Sequence, residues 1–342
     1  MSRFIIPLLG LIVLFASDLR GQSSSADESQ TDKYRHIGRI IRLDEKFDQL
    51  LDSSSQVEVL AGGFNWVEGP AWDKKNGYLL FSNIPKNRIH KWHPKNGISV
   101  FLESSGYDGP DKIQGREPGS NGLAFDTKGR LVVCDHGNRR LYRYVDGKKK
   151  TLADKFDGKR FNSPNDLAIH SNGNVYFTDP PYGLAKKQER EIDYNGVYML
   201  RESGKVELLT KEFTRPNGIA LSPDEKTLYV AQSDRAKMIY KSFSVKEDGT
   251  LGEGKLFFDA TKWVANDPGS ADGMAVDEKG NIWATAPGGV LVLSPEGTPL
   301  GRIMTGRPTA NCTFGGEDGK TLFLTANKLL CRIRTKVAGN CQ

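Results

Sequence analysis

A short apolar run, a turn of Asp, Gly, Asn or Ser, and a second apolar run follow one another six times along this chain. The first runs are Pro70-Ala71-Trp72, Leu123-Ala124-Phe125, Leu167-Ala168-Ile169, Ile219-Ala220-Leu221, Met274-Ala275-Val276 and Cys312-Thr313-Phe314. The second are Leu79-Leu80-Phe81, Leu131-Val132-Val133, Val175-Tyr176-Phe177, Leu228-Tyr229-Val230, Ile282-Trp283-Ala284 and Leu322-Phe323-Leu324. Turns such as Asp126-Thr127-Lys128-Gly129 and Ser171-Asn172-Gly173 separate them, so each pair predicts a β-hairpin. Third and fourth strands follow in most units, as in Arg140-Leu141-Tyr142-Arg143-Tyr144 and Lys150-Thr151-Leu152-Ala153. The repeating unit is a four-stranded antiparallel meander.

A residue with a side-chain oxygen opens each unit: Glu68, Asn121, Asn165, Asn217, Asp272 and Asn311, spaced 53, 44, 52, 55 and 39 positions apart. Four-stranded repeats of that period are propeller blades that close into a ring. The predicted fold is therefore all-β, a six-bladed β-propeller over residues 53–337 with a tail over 338–342. A ring of repeats also makes one domain of a length that would otherwise suggest two. The last unit is short of a fourth strand. Val57-Glu58-Val59-Leu60, ahead of the first unit, is placed to supply it and so remove an open sheet edge.

The amino terminus carries Arg3 and then thirteen residues of apolar character, Phe4 through Ala16. That is too short to span a membrane and suits the core of a signal peptide over residues 1–22. The expected location is exported, periplasmic or extracellular, with no membrane span after cleavage. Residues 23–52 form an extension in which Ile37, Ile40, Ile41, Phe47, Leu50 and Leu51 predict a short helix against the propeller. Export permits disulfides, and four cysteines allow three pairings. Cys331–Cys341 and Cys312–Cys341 are the candidate pairs, and Cys134 reads as a buried free thiol. A net charge of +6 is modest, and the clusters Arg139-Arg140 and Lys148-Lys149-Lys150 lack interleaved aromatics. They read as solvated edge-strand charge, which argues against a nucleic-acid partner.

In a propeller the first strand of each blade lines the central tunnel, so the opening residues gather at one mouth. Glu68 and Asp272 bring negative charge there, Asn165 and Asn217 bring amide oxygens, and Asn121 and Asn311 add to the set. Calcium takes about six to eight oxygens in irregular geometry and accepts this mixture. A softer metal calls for His or Cys, and the column holds neither. Asn-Gly and Asp-Gly are also turn dipeptides. Turn preference alone does not explain why this position is never Ser, Lys or Gly.

Trp66-Val67-Glu68-Gly69-Pro70-Ala71-Trp72, Asn162-Ser163-Pro164-Asn165-Asp166, Phe177-Thr178-Asp179-Pro180-Pro181-Tyr182-Gly183, Arg215-Pro216-Asn217-Gly218 and Ala271-Asp272-Gly273-Met274 resemble the gluconolactonase/regucalcin-like (senescence marker protein) family, in order, over about residues 40–333. The resemblance implies a six-bladed propeller with calcium-dependent lactonase activity, and metal ligands at Glu68, Asn165, Asn217 and Asp272. It implies substrate contacts from Asn165, and from Arg160 in Arg160-Phe161-Asn162, although Ser163-Pro164 interrupts the contiguous Arg-Phe-Asn-Asp of the regucalcin branch. Asn121 and Asp179 are further candidates for the substrate side. The expected cofactor is one divalent cation, Ca2+, with Mg2+, Mn2+ or Zn2+ as alternatives. The expected partner is a small-molecule lactone.

Such a cation can stabilise the oxyanion formed when water attacks a lactone carbonyl. Asp272 and His136 are the candidate bases. Trp66, Tyr107, Phe161 and Tyr182 flank these motifs and suit the walls of a sugar-lactone pocket, with the loop over residues 106–119 as its rim. An arylesterase or phosphotriesterase-like hydrolase, or a secreted propeller that binds without turnover, are the rival functions.

Overall fold

The computed structural model describes Met1 and residues 34–110, 117–184 and 190–340. The apolar amino-terminal run and Cys341 lie outside the described residues. Among those described, no helix is long and apolar enough to cross a membrane.

Six antiparallel sheets form the blades of a β-propeller. Blade 1 holds Val67–Asp73, Tyr78–Asn83, Arg88–His93 and Gly97–Glu103, paired in that order. Blades 2, 3 and 4 repeat the plan from Ser120–Phe125, Leu167–Ile169 and Pro216–Leu221. Blade 5 starts at Met274–Val276, and its outer strand Pro299–Met304 takes on Arg39–Arg42 as a fifth. Blade 6 starts at Asn311–Gly315. Its third strand, Leu329–Arg334, pairs with Val57–Gly62, so the start of the propeller supplies the fourth strand of its last blade. Arg35–Ile37 adds a further edge strand there.

The helix expected over residues 37–51 shrinks to one 3-10 turn, Glu45–Gln49, capped by Asp44. Ile40 and Ile41 belong instead to an edge strand. Phe47, Leu50 and Leu51 are buried as expected, in the core cluster between blades 5 and 6.

Each pair of neighbouring blades shares one apolar cluster, and the six clusters run round the ring. Successive residues of a strand face opposite sides of its sheet. Leu79 and Phe81 therefore join the cluster shared with blade 6, and Leu80 joins the one shared with blade 2. Val175 and Phe177 face blade 2, whereas Tyr176 faces blade 4. Both faces are covered, which is why the second strands read as unbroken apolar runs.

Phe161, expected on the pocket wall, is fully buried in the cluster between blades 2 and 3, against Phe177 and Tyr198. It has no surface for a ligand. Cys134, Cys312 and Cys331 are buried, and none is bonded to another cysteine among the described residues. The two candidate disulfides both require Cys341, outside the described residues.

Candidate active site

The opening residue of a blade sits where its first strand departs from regular pairing. In blade 1 the register shifts between Glu68 and Ala71, in blade 2 between Ser120 and Leu123, and in blade 4 between Pro216 and Ile219. A bulge re-aims side chains. Here it falls on Glu68-Gly69, Asn121-Gly122 and Asn217-Gly218. In blades 3 and 5 the regular strand begins only at Leu167 and Met274, after Asn165-Asp166 and Asp272-Gly273.

Neighbouring blades are tied together at this level. Ser82 Oγ donates to the backbone oxygen of Asn121 at 2.7 Å, and Thr178 Oγ1 to that of Asn217 at 2.6 Å. At the matching place in blade 5, Thr285 Oγ1 donates to the backbone oxygen of Ala310 at 3.3 Å. Gly122 N donates to Asn165 O and Gly273 N to Ala310 O, each at 2.8 Å. The sixth blade thus brings Ala310 to the column, and Asn311 lies one level deeper. The expected column of six oxygen-bearing side chains is a column of five.

At the deeper level blades 1, 2, 4 and 5 carry glycine, and a Cβ on Gly69 or Gly218 would stand 2.0 Å from the neighbouring blade's backbone oxygen. Blades 3 and 6, opposite one another, carry Asp166 and Asn311. Asn311 Nδ2 donates to Asp166 Oδ2 at 3.3 Å across the tunnel. Beyond this bridge lies a cavity of about 230 Å³ with Trp72, Ile169, Leu221, Val276 and Phe314 on its walls. Its lining includes Asp166 and Asn311 of the bridge but none of the five column side chains, which therefore belong to the other side of the bridge.

Glu68, Asn121, Asn165, Asn217 and Asp272 are all buried. Burial pushes the Asp272 carboxyl well above the usual carboxylate range, and the charges of Glu68, Asp166 and Glu117 push it further. Glu68 is raised likewise, by burial first and then by Asp166. Asp166 is raised to about 6, again chiefly by burial. Among the described residues, no Lys or Arg is a dominant influence on these three groups. Buried like charges without a counter-charge are costly unless a cation joins them.

Asn217 shows the same need from the other side. Its Nδ2 donates to Ser233 Oγ at 3.3 Å, while its Oδ1 is buried without a hydrogen-bond partner. An orphan acceptor at the same level of the column as two buried carboxylates fits a hard cation with oxygen ligands. Among the described residues no group of three or more His, Cys, Asp or Glu is arranged to hold a metal. A cation held here would need the amide oxygens as well as the carboxylates.

His136 is fully buried, with Nε2 3.4 Å from Asn121 Nδ2 and 3.5 Å from Asn165 Nδ2. Asp179 is also fully buried. Its two carboxylate oxygens accept the backbone N–H groups of Asn162 and Ser163, each at 2.7 Å, and so hold the segment that leads to Asn165. Arg160 sits on the small hairpin of Lys155–Phe156 and Lys159–Arg160, with Nη2 donating to Asn138 O at 3.0 Å. Neither is hydrogen-bonded to a column side chain.

The sequence reading missed Ser233, whose hydroxyl bonds Tyr182 as well as Asn217, and Arg215, whose guanidinium lies 5.9 Å from the Tyr182 ring centre. The Tyr182 hydroxyl is raised by burial and by the nearby Asp272 charge, which places this polar wall beside the column. Arg215 adjoins the Pro216-Asn217-Gly218 phrase; Ser233, on the next strand's exit, carried no signal of its own.

The family model described as SMP-30/gluconolactonase/LRE-like region matches residues 66–328. The chain belongs to this family. It is 42% identical over 313 residues to the gluconolactonase of Zymomonas mobilis, covering 89% of this chain and 88% of that protein. A solved gluconolactonase from Xanthomonas campestris superposes with a TM-score of 0.77 at 30% identity, covering 88% of this chain and 97% of the other. Regucalcin from Agrobacterium tumefaciens, described as a calcium-binding protein, shares the fold with a TM-score of 0.64 at 21% identity, over 81% of this chain and 94% of that one.

Proposed function

We propose that this chain opens a sugar-type lactone such as gluconolactone to the hydroxy acid, with one divalent cation, Ca2+, held by Glu68, Asn165, Asn217 and Asp272. The observation that carries the metal is the buried, unpartnered Asn217 Oδ1 among buried carboxylates that no Lys or Arg among the described residues dominantly offsets. Relatives described as gluconolactonases support the substrate class.

The bound cation would supply positive charge for the lactone carbonyl oxygen and acidity for nearby water. The chain's own residues do the rest. Asp272 takes a proton from water as the water oxygen bonds to the acyl carbon. The bond from that carbon to the ring oxygen then breaks, and the proton passes to the ring oxygen as it becomes a hydroxyl. Tyr182, Ser233 and Arg215 offer hydrogen-bond partners to the sugar hydroxyls, and Asn121 and Asn165 line the same mouth. Asp179 keeps Asn165 in place through its hold on Asn162 and Ser163.

The test is acid release from glucono-δ-lactone by the purified protein, with chelator and with Ca2+ restored. Loss on chelation and recovery with Ca2+ supports the reading. Binding without turnover, or faster cleavage of aryl esters or phosphotriesters, refutes it. The apolar amino-terminal run supports export as a second proposal. A mature protein whose amino terminus still includes Phe4 to Ala16 would contradict it.

A further inference from the structure

His136 is wedged between two column asparagines of neighbouring blades. Both amide nitrogens face its Nε2, at 3.4 Å from Asn121 and 3.5 Å from Asn165. Its other nitrogen, Nδ1, faces Glu117 Oε2 at 3.1 Å, at ion-pair distance though without hydrogen-bond alignment. The ring is closely packed. Gly183 packs so closely that a Cβ there would stand 2.5 Å from His136 Cβ, and Gly183 N is itself held by Ser163 Oγ at 2.9 Å.

A neutral imidazole has one donor and one acceptor nitrogen. A carboxylate beside Nδ1 keeps the proton on Nδ1, which leaves a lone pair on Nε2. That lone pair attracts an amide NH2 and repels an amide oxygen. Since the NH2 and oxygen of an asparagine lie at opposite corners of one plane, fixing the nitrogen fixes where the oxygen goes.

We propose that Glu117 and His136 are positioning residues that orient the amides of Asn121 and Asn165, so that both Oδ1 atoms turn away from the imidazole and are offered to the ligands of the tunnel mouth. The inference rests on the metal reading above for what those oxygens meet. His136 then acts through the asparagines and not on substrate. Outer partners of this kind typically change metal affinity about 10- to 100-fold when removed. Glu117 also ties the segment just ahead of blade 2 to the site, because its carboxylate is the group that sets the ring.

Three measurements on the full chain test this. In protein labelled with 15N-histidine, the signal lost in His136→Gln identifies His136 among five histidines. That signal should show the proton on Nδ1 and a lone pair on Nε2; a proton on Nε2 overturns the proposal. In Ca2+ titrations of metal-free protein, His136→Leu should weaken binding about 10- to 100-fold. His136→Gln, whose amide oxygen is an acceptor near the Nε2 position, should recover most of the affinity. Thermal melting of the metal-free forms should be similar for both variants. Equal Ca2+ binding by wild type and His136→Leu overturns the inference and leaves the metal reading standing, and so does equal loss in both variants. A wild-type chain that binds no divalent ion overturns the metal reading itself, and this inference with it.

Discussion

Replacing Gly218 by Ala tests whether close contact between blades sets the geometry of the column. Gly218 follows Asn217 in blade 4, and a Cβ there would stand 2.0 Å from the backbone oxygen of Asp272 in blade 5. That oxygen belongs to main chain and cannot rotate away. Relief requires the two blades to part by about 1 Å in an interior packed to crystal density, and the parting falls between Asn217 and Asp272. Overpacking of this kind costs about 1–3 kcal/mol, or a fall of roughly 2–10 °C in Tm. The effect on turnover should be larger, because a misplacement of about 1 Å can cost about 100-fold. Gly129→Ala is the control. Gly129 has φ +71 in a hairpin turn with nothing within 4 Å of its absent Cβ, so Ala costs about 1–2 kcal/mol of backbone strain and leaves the site alone. The assay is kcat/KM for lactone hydrolysis beside Tm. Similar Tm losses with a much greater activity loss in Gly218→Ala are expected. A Gly218→Ala protein that keeps most of its kcat/KM would refute the reasoning.

Glu68→Gln and Asp272→Asn should each lower lactone turnover by about 100-fold or more, as for loss of a preorganised electrostatic group. Each should also raise the Tm of the metal-free protein, since one of several buried, mutually repelling charges is gone; an unchanged or lower metal-free Tm would count against the charge argument. The pH dependence follows from the same groups. The folded state holds the Asp166 proton up to about 6, whereas the unfolded chain releases it near the ordinary value of about 4. The contribution of Asp166 to metal-free stability should therefore be greatest below about pH 4 and fall as pH rises to about 6. Glu68 and Asp272, raised likewise, extend the fall to higher pH, and melting curves in chelator that rise across this window would contradict it. Asn311→Ala removes the donor to Asp166 and the acceptor for Cys312 N. It should cost about 1–3 kcal/mol by leaving buried groups unpaired, and calorimetry showing no loss would mean that the bridge across the tunnel is not a support.

Blade count, ring closure and five column residues were legible because each rests on a pattern repeated several times. Hairpin spacing survives insertions in loops, and an oxygen-bearing residue before a glycine recurs where the strand bulges. Blade 6 was misread by one residue. Its Asn311 carries the expected oxygen, but the backbone bonds place Ala310 at the column and Asn311 one level deeper, where it reaches Asp166. No side-chain signal marks an alanine as the sixth member. Glu117 and Ser233 were invisible for another reason. They reach the site from loops at the ends of strands, through contacts that no local period encodes. Phe161 adjoins the site motif in sequence, yet its ring turns into the core between blades 2 and 3. The stretch of residues 37–51 mixed spacings that suit a helix and a strand, and pairing with the open edge of blade 5 decided for the strand.

The most direct test of the shared-ion claim is an equilibrium Ca2+ titration of metal-free protein beside Glu68→Gln/Asp272→Asn. Binding at one site per wild-type chain with a matching rise in Tm, both absent from the double variant, is the predicted result. A wild-type chain that takes up no divalent ion, or a double variant that binds as tightly as the parent, would contradict it.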